Sequence, residues 1–194
     1  IYNSLAGLFD EKDRITLIRL YDSKVERMRF LSVIKIAGMK REDAVDFLKK
    51  ALDDENESIR LEAALGLAYL KEPKGIGEII LAVSKDRKDP PARLFEPLPN
   101  LKNKTYESMY AKYLGDKQDP EVRIASVMVI TAIKDKSLKK VLNRALYDPH
   151  NLVQTAAVNG LRELMDNEGP EEFANIFELV EAVNKWKKRL GPIR

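Results

Sequence analysis

Four arginines recur through the chain, Arg29, Arg60, Arg93 and Arg123, with Gln154 in the fifth place, and successive members stand 31, 33, 30 and 31 residues apart. A guanidinium presents a planar fork of donors that fits phosphate or carboxylate oxygens two at a time, so such a row offers either phosphate binding or a ladder of internal ion pairs. The ladder is the better fit: each Arg can reach a turn carboxylate or carbonyl of a neighbouring repeat, such as Asp54, Asp89 or Asp119. Little else in the chain could do chemistry. With no cysteine there is no disulfide, thiolate metal site or Cys nucleophile. The one histidine, His150, follows Asp148-Pro149 where a helix begins and reads as a solvated neighbour of the cap. No nucleophile with a base, no metal-ligand spacing and no glycine-rich phosphate loop stands out. Catalytic residues, metals and cofactors are therefore not expected, and the chain is not read as an enzyme.

Composition narrows the partners. A net charge of +3 arises from 34 basic and 31 acidic residues that are interleaved, so no basic patch points to nucleic acid. No apolar run is long enough to cross a bilayer and no signal-like segment is present, so membrane contact is not expected and a cytoplasmic location is the default. The chain opens on Ile1, and Leu5-Ala6-Gly7-Leu8 lies one period before Ile36-Ala37-Gly38-Met39, as if the sequence began partway through a repeat of a longer protein. A leader or anchor upstream would leave the compartment open.

The elements that must position these residues follow from the same period. Asp119-Pro120 is a strong helix start, because the Asp carboxylate accepts free amide hydrogens and Pro suits the first helical position. Val122, Ser126, Val129, Ile130 and Ile133 then share one helical stripe. Laying this frame on the chain gives a half repeat at 1–9, helix pairs at about 11–39, 41–71, 74–101, 103–134 and 136–166, and a terminal helix at 170–190. Each pair has too little core to stand alone and must stack on its neighbours. In the third pair Pro90, Pro91, Pro97 and Pro99 fall within ten residues, so its second helix is expected to be short or kinked. On the terminal helix, Phe173, Ile176, Phe177, Val180 and Trp186 read as a capping core, and the run Lys185, Lys187, Lys188, Arg189 as a complement to the helix dipole.

A turn Asp, then Val-Arg or Ile-Arg with a small residue at the fifth position of the second helix, resembles the HEAT repeat family in its short, phycobilisome lyase-like form. Val122-Arg123 with Ser126 and Ile59-Arg60 with Ala63 carry the likeness; Met28-Arg29 with Ser32 and Val153 with Ala157 carry it more weakly. The resemblance implies an all-α fold, a right-handed α-solenoid of antiparallel helix pairs (a HEAT-like superhelix) whose second helices line the concave side, and a role as a binding scaffold. Two enzyme classes use similar folds, bilin lyases and HEAT-like DNA glycosylases, and these stand as the alternative.

The opposite side of the second helices carries an unexpected pattern. Counted from the first core position at about 100° per residue, offsets 0, +4, +7, +8 and +11 centre near ~25°, whereas +2 and +6 fall near ~200° and ~240° and should be wet. Yet offset +2 holds Phe30, Leu61, Leu94 and Ile124 before Thr155, and offset +6 holds Ile34, Leu65, Leu98 and Met128 before Asn159. Either tight curvature and adjacent first helices cover these side chains, or they form an apolar trough for a partner protein's helix or extended segment, or for another copy of this chain. The proline-broken third helix adds Phe95 and Asn100 as contact candidates.

Overall fold

A computed structural model describes residues 13–115 and 117–192, and the half repeat expected at 1–9 lies outside them. The described residues contain helices and turns and no strand. The chain divides into two compact units, residues 1–82 and 83–194.

In the first unit α1 (Arg14–Tyr21) pairs with α2 (Glu26–Gly38), and α3 (Val45–Ala51) with α4 (Glu57–Tyr69). The inner helices α2 and α4 pack on one another. Asn56 caps α4 by accepting from the Ser58 and Ile59 amides. Leu17, Val33, Ile36, Leu48, Ile59 and Leu67 form the fully buried centre. Where α2 and α4 cross, a Cβ on Gly66 would stand 2.7 Å from the Ala37 methyl, so only glycine admits this approach. The next helix, α5 (Ile76–Lys85), contains the division between the units.

In the second unit the inner helices are α7 (Pro120–Ala132) and α9 (Asn151–Leu161); α9 pairs with the outer helix α8 (Lys139–Ala145), and α7 packs on the Lys112–Leu114 turn that follows the short helix α6 (Glu107–Ala111). Asp119 caps α7 by accepting from the Glu121 amide at 2.9 Å, with Pro120 in the first turn, as its sequence predicts. The close crossing recurs at the equivalent place: a Cβ on Gly160 would collide with Thr131 Oγ1. That hydroxyl is buried with no partner among the described residues. The fifth-position serines join inner to outer elements, Ser32 Oγ donating to the Leu17 carbonyl at 2.6 Å and Ser126 Oγ to those of Tyr113 and Val122.

Three expectations need correction. The third inner helix is absent as an α-helix: Ala92–Leu94 and Leu98–Leu101 are single 3-10 turns, because Pro97 and Pro99 supply no amide donors. The terminal helix, α10 (Ile176–Leu190), starts six residues later than 170, where Asn175 Oδ1 accepts from the Phe177 and Glu178 amides. That start sets which stripe is buried. Leu179, Val183 and Trp186 pack inward at helical spacing, while Ile176, Val180 and above all Phe177, 83% exposed, face out and are no part of a capping core. His150, third, is half-buried; its amide donates to Asp148 Oδ1 at 2.9 Å, and Nδ1 is buried without a partner among the described residues.

Arg29, Arg60 and Arg123 of the arginine row form an internal ladder. Arg29 forks onto Asp54 at 2.9 and 3.2 Å, and Arg123 onto Asp148 at 2.7 and 2.9 Å, each reaching the turn of the following repeat. Arg60 pairs with Glu78 at 3.1 Å and donates to the Asp54 and Glu55 carbonyls. Gln154, at the fifth anchor, donates to the Asp148 carbonyl as Arg60 does to that of Asp54. Asp119 spends its carboxylate on its own helix cap, and the ladder carboxylates are Asp54, Glu78 and Asp148.

Burial pushes the Asp54 carboxyl up, but the Arg29 fork, the Asn56 amide and the Tyr21 hydroxyl outweigh it and hold it below the usual carboxylate value. Tyr21 is itself pushed up to about 12, by burial first and then by Asp54.

Two outcomes follow. The Arg123–Asp148 side chains are 6% and 4% exposed, so Asp148→Ala strands a buried guanidinium and should cost about 3–5 kcal/mol in urea denaturation. Asp22→Ala, at an exposed pair, should cost under about 1 kcal/mol. Because the Asp54 pKa is lower folded than unfolded, its stabilisation is complete above about pH 4 and is lost as pH falls through the lowered value. The stability gap between wild type and Asp54→Asn should stay constant from neutral pH down to about 5 and close below about 4; a gap unchanged at pH 2 would locate the effect elsewhere.

Candidate functional site

The apolar positions expected to face away from the core divide once the helices are packed. In the first unit Phe30, Ile34 and Leu61 are half-buried and Leu65 is buried at 6% exposure. Phe30 leans on the core of that unit. Helix α4 is flanked by α2, α3 and the Pro73–Gly75 turn. In the second unit Leu94 and Leu98 are buried, Leu98 completely, because the 3-10 backbone turns them inward where a helical wheel would not. Asn100 is exposed, and its amide donates to the Pro97 carbonyl. Arg93 is exposed in the same segment.

Phe95, Ile124 and Met128 are brought together. They line an open groove of about 610 Å³ in the second unit, with Val127 of α7 and Leu152 and Ala156 of α9. Ile124 lies deep, 3% exposed, since α7 packs against α9 and against the Leu98–Leu101 turn. Met128 is half-buried, and Leu152 stays 48% exposed at the edge. Around this apolar lining stand Arg87, which pairs with Glu121 at 2.5 Å, and Lys134, Glu163 and Pro170.

The two polar exceptions of the last repeat, Thr155 and Asn159, line this groove as well, and Asn159 has a structural task. Its side-chain amide donates to the Glu171 carbonyl at 3.2 Å and its Oδ1 accepts from the Glu171 amide at 2.9 Å. Arg162 adds bonds to the Gly169 carbonyl and the Glu171 carboxylate. The non-helical segment between Asn167 and Asn175 is thereby strapped across α9 before α10 begins. The basic run of α10 is partly committed too: Arg189 forks onto Asp166 at 2.6 and 2.7 Å, and Lys187 sits 4.0 Å over the Tyr147 ring.

Sequence reasoning missed Leu152, Lys134 and the strap. Leu152 precedes the first core position of α9 by one residue, and its offset gave no sign of exposure. Lys134 was legible in principle, since lysine recurs eleven residues after Arg29, Arg60 and Arg123 at Lys40, Lys71 and Lys134, each with positive φ past the end of its helix. Among the described residues no group of His, Asp and Glu could hold a metal ion, and no helix is long and apolar enough to cross a membrane.

A family model described as HEAT repeats matches residues 110–182, which include both helices of the groove. Comparison with curated proteins finds no match.

If Asn159 holds the strap, Asn159→Ala should speed hydrogen exchange of the Glu171 amide at least tenfold and leave α7 amides unchanged.

Proposed function

We propose that this protein, whose residues 110–182 match the HEAT repeat family model, is an interaction module whose second unit receives an apolar segment of a partner protein. HEAT repeats are commonly protein-interaction scaffolds. The observation that carries the reading is the groove itself. Two inner helices pack tightly at Gly160 and Thr131, yet leave an open apolar cleft of about 610 Å³ in which Met128 and Leu152 remain accessible. Apolar surface of that kind is retained against its cost in solubility where something covers it. Its walls supply burial area, which drives association, and its charged surround supplies orientation. Phe30, Ile34 and Leu61 are further candidates for contact on the first unit.

Leu152→Glu and Met128→Glu put a carboxylate where the partner's apolar side chains would lie. Each should weaken partner binding at least tenfold by isothermal titration, since an unpaired charge must be desolvated. Leu152→Glu, at an exposed position, should leave the melting temperature within about 2 °C of wild type. Binding unchanged in both variants would remove the groove from the interaction.

A further inference from the structure

The strap already shows what kind of backbone this face holds. In a helix the N–H and C=O of one residue point in opposite directions along the axis, whereas in an extended chain they point to the same side. Asn159 bonds both groups of Glu171 with a single carboxamide. Glu171 is therefore extended, and α9 reads extended backbone through a side chain that also lines the groove. Pro170 of the same strap forms part of the groove wall.

The repeat supplies an internal comparison. Lys40 and Lys134 are equivalent, eleven residues after Arg29 and Arg123; Tyr69 and Glu163 are equivalent, nine after Arg60 and Gln154. In the first unit Lys40 Nζ lies 3.8 Å over the Tyr69 ring, so that end of the helix crossing is closed by a cation–π contact. In the second unit the aromatic ring is replaced by Glu163, and Lys134 and Glu163 both border the groove. Neither side chain forms a hydrogen bond or ion pair among the described residues. One crossing is sealed, and its counterpart offers an unengaged cation and an unengaged anion beside an apolar cleft.

We propose that the occupant of the groove is an extended segment of a partner protein, apolar at its centre and carrying an acidic and a basic side chain to meet Lys134 and Glu163. This rests on the interaction reading above and adds the conformation and charge of the partner. The apolar centre covers Met128 and Leu152, and the segment runs beside the strap. Pro170 of the strap walls one side of the cleft, and an extended backbone running beside it occupies less width than a helix about 10 Å across.

The test uses the 194-residue chain and two displayed libraries, one of linear random peptides about a dozen residues long and one of the same diversity on a helical scaffold. Linear binders are expected, with strong sequential Hα–HN contacts in the bound state. Their affinity should fall at least tenfold in both Met128→Glu and Leu152→Glu, and Lys134→Glu should lower affinity for acid-bearing peptides about tenfold. Because Leu152 is exposed, its variant separates lost binding from lost folding. Helical binders that depend on Met128 and Leu152 would overturn the extended occupant and leave the interaction reading standing. Binders indifferent to both variants, or none from either library, would overturn both.

Discussion

A guanidinium that leaves one inner helix and forks onto the turn of the following repeat is the interaction on which the stacking depends. A helix pair of about 30 residues buries too little apolar area to be stable alone, so the interface between repeats must be specified as well as apolar. Arg29 with Asp54 and Arg123 with Asp148 do this at equivalent places, and each also bonds a carbonyl of its own preceding turn. Asp54 and Asp148 in turn accept the amides of Asn56 and His150, so one carboxylate ties an arginine to the turn that starts the next inner helix. Guanidinium groups so committed are not available for phosphate.

What the ladder does for the starts of the inner helices, close backbone contact does nearer their ends. Gly66 against Ala37 and Gly160 against Thr131 are the same pair of repeat positions, and both admit no additional carbon. With both ends of a crossing set, the surface between the helices is decided by the side chains that remain. In the first unit Lys40 and Tyr69 close it. In the second Lys134 and Glu163 leave it open, and the strap held by Asn159 and Arg162 bounds the opening. The polar residues Thr155 and Asn159, which break the apolar pattern only in the last repeat, belong to that boundary.

The helices were legible because their signals are local: the Asp119-Pro120 start, the Arg-anchored period and the small fifth residue all act within one repeat. The proline-rich stretch was legible as a break, but its replacement by two 3-10 turns was not, and that turned Leu94 and Leu98 inward. A helical wheel also assumes a helix with one covered side. Ile124 and Leu65 sit on helices packed from several directions, and residue spacing along one helix carries no sign of that. The start of α10 depended on Asn175 outcompeting Gly169-Pro170, a contest between two good signals that the strap's bonds to Asn159 and Arg162 decide.

Under the proposed function, the cleft between α7 and α9 is where this chain meets a partner. The five methionines provide a direct readout, since Met128 alone among them lines that cleft. With ¹³C-labelled methionine methyls, titration of a binding peptide should move the Met128 resonance and leave those of Met28 and Met39, in the first unit, in place. Movement of Met28 or Met39 with Met128 unshifted would contradict the account.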